Sequence, residues 1–225
     1  MAIFQVAEHF ISINGEGRKA GQLAHFIRFA GCNLACGYCD TGWAKEVHDN
    51  WEGYSEQELY QLIRKAGIVN VTLTGGEPLL QNGIAGLLLL LGRDPDLQVE
   101  IETNGSVELA PFFESGIPDS VSFTLDYKLP GSGMEQYMCT SNYERLRSVD
   151  VVKFVVSDRT DLWRSKEIIE TYHLIDQKCG IYLSPCFGRM EPAEIVEFLV
   201  EQNMNHVNVQ LQLHKLIWDP EQRGV

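Results

Sequence analysis

The chain reads as a single α/β domain, a partial (β/α)6-type barrel spanning residues 1–225. Three observations carry that reading. First, runs rich in Val, Ile, Leu and Phe at residues 24–30, 69–74, 97–102, 119–126, 151–156, 180–183 and 206–211 alternate with helical segments. Strand-like runs spaced by about 25–30 residues mean βαβ units and a parallel sheet. Second, no linker-like stretch, internal repeat or low-complexity segment interrupts the alternation. Third, chemically active residue types gather just after the strands, where a parallel barrel builds its active site. A doubly wound open sheet is the alternative, although no G-x-G-x-x-G or P-loop sequence supports a nucleotide site of that kind.

Taken in order, residues 4–13 are β-branched and aromatic and form an N-terminal extended segment. Asn14-Gly15-Glu16-Gly17 follows, and its glycines permit a tight turn or a close approach to a ligand. Residues 24–30 read as a buried strand broken by Arg28, and residues 42–54 as a polar, aromatic connection. Ser55-Glu56-Gln57-Glu58 is a capping box that opens a helix to about Ala66, stopped at Gly67. The strand at 69–74 ends in Thr74-Gly75-Gly76-Glu77-Pro78, and Pro78 suits the first turn of a helix over 78–92. Later strands end in Glu102-Thr103-Asn104-Gly105, Asp126-Tyr127-Lys128 and Ser184-Pro185-Cys186-Phe187. Helices are expected near 107–114, 142–147, 158–172 and 191–202, and residues 213–225 form a polar C-terminal tail.

A net charge of −13 argues against nonspecific binding to nucleic acid or to an anionic membrane. It also means that any anionic substrate must meet a local cluster of positive charge. The longest apolar run, 84–91, is too short to span a bilayer. Six cysteines without a secretory signal point to a reducing cytoplasm and reduced thiols.

The most informative stretch is Gly31-Cys32-Asn33-Leu34-Ala35-Cys36-Gly37-Tyr38-Cys39-Asp40, with cysteines spaced C-x3-C-x2-C. Clustered thiolates select iron–sulfur, zinc or Cu(I). Three thiolates leave one iron of a cubane open for another ligand. A zinc site completed by Cys139, Cys179, Cys186 or a histidine is the alternative, since a closed zinc site needs four protein ligands.

The triple with Tyr38 resembles the signature of the radical S-adenosylmethionine (SAM) enzymes. In that superfamily the open iron binds SAM, which is cleaved to a 5′-deoxyadenosyl radical. Asn14-Gly15-Glu16-Gly17, Arg28, Cys39-Asp40-Thr41, Thr74-Gly75-Gly76-Glu77-Pro78, Glu102-Thr103-Asn104-Gly105, Asp126-Tyr127-Lys128 and Gln210-Leu211-Gln212-Leu213-His214-Lys215 occur in that order. Together they resemble the 7-carboxy-7-deazaguanine synthase family of queuosine and 7-deazapurine biosynthesis. Asn14 stands where that family usually has Gln.

The resemblance implies a radical SAM carbon–nitrogen lyase. It would convert 6-carboxy-5,6,7,8-tetrahydropterin to 7-carboxy-7-deazaguanine with loss of ammonia, using SAM catalytically together with Mg2+. It implies that Cys32, Cys36 and Cys39 hold a [4Fe-4S] cluster. Tyr38, Cys39, Asp40, Gly76, Glu77, Asp126, Tyr127, Lys128, Ser184, Pro185, Cys186 and Phe187 would line the SAM site. Thr41 would bind Mg2+, and Ile13, Asn14, Gly15, Arg28 and Thr74 would bind the pterin. For Arg28 the alternative is pairing with an internal acid such as Glu16. A homodimer and an external reductant such as flavodoxin or ferredoxin are also implied, with no nucleic-acid or membrane partner. The rival functions are a small glycyl-radical activase and a non-enzymatic iron–sulfur or zinc-binding module.

Overall fold

The computed structural model describes residues 2–46, 48 and 51–225. Two antiparallel strands come first, β1 (Ile3–Ile13) and β2 (Leu23–Phe29). A short edge strand, β3 (Glu52–Ser55), leads into α1 (Glu56–Ala66). Then come β4 (Asn70–Gly75), α2 (Ile84–Gly92), β5 (Gln98–Thr103), α3 (Ala110–Glu114) and β6 (Val121–Tyr127). The chain continues through β7 (Val151–Val156), α4 (Arg159–Thr171), β8 (Gly180–Pro185), α5 (Pro192–Glu201), β9 (Asn208–Val209) and α6 (Leu213–Ile217).

The described residues form one nine-stranded sheet in the order β3-β1-β2-β4-β5-β6-β7-β8-β9. From β2 through β4 to β9 every pairing is parallel, and from β4 onward each strand lies beside the next one in sequence. A doubly wound sheet reverses its strand order at a switch point. Among the parallel strands, β2 and β4 to β9, this order never reverses, so that part of the chain winds one way, as in a barrel. The ends of the sheet do not pair as strands. Instead, Leu213 N–H donates to the Gly15 carbonyl at 3.1 Å, bringing the segment after β9 against the loop after β1.

Alternation along the strands separates two faces. Ile27 and Phe29, Val71 and Leu73, Val99 and Ile101, Phe123 and Leu125, Phe154 and Val156 are buried in the apolar core under the helices. Their neighbours Arg28, Thr74, Glu102, Thr124, Asp126 and Lys153 face the other way and line a cavity. A bulge in β1 serves the same division. Val6 pairs with Phe29, but Glu8 pairs with Arg28, so one extra residue is inserted. Phe4 and Val6 therefore pack into the core, while Glu8 and Phe10 turn to the cavity face.

The capping box at Ser55 and Glu58 forms as expected, and Gly67 ends α1 at φ 70°. Several expectations need correction: the helix near 142–147 is a 3-10 turn at Thr140–Glu144, the strand over 206–211 shortens to β9, and the start of the polar tail forms α6. The helix over 78–92 is interrupted: a 3-10 turn at Pro78–Leu80 gives way to α2 only after Gly83, whose φ is 85°. The connection at 42–54 contains a 3-10 turn at Gly42–Ala44 and the strand β3, which pairs with β1. Residues 47, 49 and 50 of that connection lie outside the described residues. Among the described residues, no helix is long and apolar enough to cross a membrane.

Candidate active site

A cavity of about 600 Å³ opens at the C-terminal ends of the parallel strands. Cys32, Cys36 and Cys39 all line it, and all three are free thiols. The cysteine loop is pinned on two sides. Gly76 N–H donates to the Phe29 carbonyl and Glu77 N–H to the Gly31 carbonyl at 2.7 Å, so the end of β4 keeps pairing past the end of β2. Gly31 and Cys32 in turn donate to the carbonyls of Ala44 and Lys45. The approach at Gly76 is so close that a Cβ there would lie 1.9 Å from the Gly31 oxygen.

These thiols fit an iron–sulfur cluster. Cys32 Sγ faces Leu34 N–H at 3.5 Å and the Asn104 side-chain amide at 3.7 Å, donors of the kind that stabilise thiolate charge. Burial pushes the Cys36 thiol up, while the nearby Lys128 ammonium favours its thiolate. Among the described residues, no three Cys, His, Asp or Glu side chains converge on one ion. Cys186 reaches the same cavity, but its charged neighbours are Arg189, Lys215, Asp161 and Asp40.

Of the residues expected at the SAM site, Tyr38, Cys39, Asp40, Gly76, Asp126, Lys128, Cys186 and Phe187 line the cavity. Lys128 Nζ lies 2.8 Å from Asp126 Oδ2, leaving Asp126 Oδ1 buried without a partner. Burial disfavours the Lys128 charge, but Asp126 and Cys36 together offset it and hold the ammonium above its ordinary range. The Tyr38 hydroxyl is buried and unpartnered, and the Arg189 guanidinium lies 6.0 Å from the Tyr38 ring centroid.

Four residues expected at that site are placed elsewhere. Glu77 is fully buried, and its carboxylate accepts from Leu79 N–H, Thr103 Oγ1 and Asn104 N–H at 2.7–2.9 Å. It ties the end of β4 to the end of β5 and does not line the cavity. Tyr127 follows Asp126 by one residue, so alternation sends its ring into the core against Tyr143 and Phe154. Ser184 is fully buried and donates to Glu16, and Pro185 is buried at the end of β8.

Of the residues expected to bind the pterin, Ile13, Gly15, Arg28 and Thr74 line the cavity. Asn14 lies beneath it: its carbonyl accepts from Thr72 Oγ1 at 2.7 Å, and its amide nitrogen is buried without a partner. Arg28 does not pair with Glu16. Its Nε donates to Glu8 at 2.8 Å, the cross-strand partner that the β1 bulge supplies, and its guanidinium lies 5.9 Å from the Trp43 ring centroid. Thr41 stands at the start of a 3-10 turn without capping it, and its hydroxyl lies 3.8 Å from Cys39 Sγ.

The cavity also contains groups to which the sequence reading gave no role. Lys153 reaches it from β7, Glu8 from β1 and Trp43 from the connection, while Arg223 covers Trp43 at 4.1 Å. A lone lysine inside Val-Val-Lys-Phe-Val-Val was a usable signal for Lys153. The bulge and the return of the tail have no such signature. His214 and Lys215, left without a task, now have places. Lys215 Nζ lies 2.8 Å from Asp40 Oδ2, and the His214 ring abuts Gly15. Burial raises the Asp40 carboxyl, but Lys215, with His214 and Lys153, reverses this and holds it below its ordinary range.

Comparison with known proteins matches this geometry. The family model of the radical SAM superfamily matches residues 26–127. The chain is 53% identical over 222 residues to 7-carboxy-7-deazaguanine synthase of Clostridium acetobutylicum, with 99% of each chain covered. It is 34% identical to the enzyme of the same name from Chlorobaculum tepidum, covering 100% of this chain and 98% of that one. The crystal structure of QueE from Escherichia coli superposes with a TM-score of 0.75 over 93% of this chain and 94% of the other, at 24% identity, a likeness of fold. With full-length relatives at these identities and three thiols sharing one cavity with Arg28, the chain belongs to the 7-carboxy-7-deazaguanine synthase family of radical SAM enzymes.

Proposed function

We propose that the chain converts 6-carboxy-5,6,7,8-tetrahydropterin to 7-carboxy-7-deazaguanine with loss of ammonia. The observation that carries this reading is the single cavity shared by Cys32, Cys36, Cys39 and Arg28. Cys32, Cys36 and Cys39 would hold a [4Fe-4S] cluster there, which with SAM would supply radical initiation to that cavity. The chain's own residues select and hold the pterin. Arg28, anchored by Glu8, offers its remaining N–H groups to the substrate carboxylate, a role suited to a planar guanidinium in an otherwise acidic protein. Gly15 and Ile13 give the ring a close wall, and Thr74 adds a hydroxyl. Asp126 Oδ1 offers an unspent acceptor on the SAM side. Residues 220–225 form part of the cavity wall and limit solvent access to a reactive intermediate.

The Thr41 hydroxyl, free of capping duty, suits Mg2+, a hard cation that takes few protein ligands and shares substrate oxygens. An external reductant and a homodimer complete the reading by family precedent. The test is anaerobic reconstitution followed by 6-carboxytetrahydropterin, SAM and dithionite, with and without Mg2+. Formation of the deazaguanine is expected, with a blunted Mg2+ response in Thr41→Ala. SAM cleavage without deazaguanine formation would reject the substrate assignment.

A further inference from the structure

Lys153 is the one charged residue in β7, a strand buried along its whole length. Its Nζ lies 3.1 Å from Glu16 Oε2 and 3.7 Å from Asp126 Oδ2. Glu16 belongs to the loop after β1, beside the expected pterin contacts, while Asp126 belongs to the SAM side. The other Glu16 oxygen accepts from Ser184 Oγ at 2.9 Å and from Gln210 Nε2 at 3.2 Å. Glu16 is therefore gripped from β7, β8 and the segment after β9, and it also lines the cavity.

We propose that Lys153 is a positioning residue for the pterin reaction, holding the Glu16 carboxylate at the cavity wall through an ion cluster shared with Asp126. The proposal rests on the function assigned above. A fixed carboxylate is an acceptor for ring N–H and amino donors, which a tetrahydropterin carries in abundance. A protonated Glu16 loses one acceptor oxygen and its charge. Burial alone drives a carboxyl toward that neutral form. Lys153 opposes this, and with Ser184 it keeps the Glu16 carboxyl below its ordinary range.

The charged groups around Lys153 define what its loss does. Glu16 faces it from the loop after β1, Asp126 from β6 and Glu102 from β5, and its charge also acts on Lys128, on Glu100 and on Asp40 of the cysteine loop. His214 acts on Glu16 from α6. Without Lys153, Asp126 retains Lys128 as a partner at 2.8 Å. Glu16 keeps neutral hydrogen-bond donors and the largely uncharged His214, whose imidazole burial holds below its ordinary range. Glu16 is therefore the group that takes up a proton.

The experiment is equilibrium binding of 6-carboxytetrahydropterin to reconstituted protein between pH 6 and 9. SAM affinity and thermal stability are read in parallel. In Lys153→Met, pterin affinity is expected to fall and to recover by about tenfold per pH unit as pH rises toward the new Glu16 pKa. Lys153→Arg should restore the wild-type pH profile. Glu16→Gln and Glu16→Gln/Lys153→Met should bind the pterin equally, since Lys153 acts through Glu16. The neutral double variant keeps this comparison available if Lys153→Met does not fold. Additive losses in the pair, a pH-independent affinity in folded Lys153→Met, or equal loss of SAM and pterin binding would overturn the proposal. Wild-type protein that binds no pterin would instead reject the substrate assignment.

Discussion

Arg28 uses one hydrogen bond of a guanidinium that carries five donors. Among the described residues only Glu8 is paired with it, through Nε, while its side chain is 15% exposed to the cavity. The arrangement leaves the forked end for a ligand and fixes the stem. Removing one partner of a desolvated charged pair costs roughly 2–5 kcal/mol. Arg28→Ala should therefore weaken pterin binding by on the order of 30- to several-thousand-fold, with SAM affinity little changed. Arg28→Lys should recover only part, because an ammonium cannot serve Glu8 and grip a carboxylate bidentately. Affinity of both ligands for folded variants is the measurement, and parallel losses would reduce Arg28 to a support of the fold. Its direction was legible from strand alternation, since Phe26 and Arg28 share the cavity face. Its partner was not, because the bulge that aligns Glu8 with Arg28 has no pattern in the sequence. Tyr127 shows the same rule neglected: one residue beyond Asp126, it had to face the core.

At the scale of elements, the cysteine loop depends on how closely β4 passes β2. Regular elements were readable because apolar periodicity records them, as in β7, or because capping residues mark them, as at Ser55 and Gly67. The four-residue β3 was not, since Glu-Gly-Tyr-Ser is a strand only by pairing with β1. The Gly-Gly-Glu segment was recognised as functional, but its three residues do different work. Gly76 lets the backbones meet, while Glu77 spends its carboxylate on β5. Gly76→Ala places a Cβ 1.9 Å from the Gly31 oxygen and 2.9 Å from the Cys32 nitrogen. Those are backbone atoms, so the strand ends must part, at a cost of about 1–3 kcal/mol or more. The cysteine loop moves with them. Iron and sulfide per chain after anaerobic reconstitution should drop toward the level of Cys32→Ala, Cys36→Ala and Cys39→Ala, even where the protein remains folded. Full iron content with wild-type SAM affinity would mean that the loop is positioned from its Ala44 and Lys45 side alone.

Across the whole molecule, the sheet winds one way but its last strand does not pair with its first. What closes the mouth is polar. Gly17 N–H donates to Gln210 Oε1 at 2.9 Å, Gln210 Nε2 reaches Glu16 at 3.2 Å, and Leu213 N–H reaches Gly15. Residues 210–215 stood out in the sequence as a motif, yet this closure depends on a contact across 193 positions that no local pattern encodes. The closure is also the wall that carries Gly15 and Glu16. Gln210→Ala leaves the Gly17 N–H without its acceptor, at a cost of about 1–3 kcal/mol, and takes one donor from Glu16, which keeps Ser184 and Lys153. Helices α1 to α5 and strands β4 to β6 share none of these bonds, so the loss should appear as local opening and not as global unfolding. Amide exchange at Gly17 and Leu213 should quicken by about tenfold or more, since 1.4 kcal/mol corresponds to a factor of ten. Exchange in β5 and β6 should stay unchanged, and pterin affinity should fall while iron content holds, because the cysteine loop is pinned by Glu77 of the β4 end and by the Ala44 and Lys45 carbonyls, none of which Gln210 touches. Uniform acceleration through the sheet would show that closure and core unfold as one unit. Unchanged exchange at Gly17 would show that Leu213 and Gly15 hold the mouth without help.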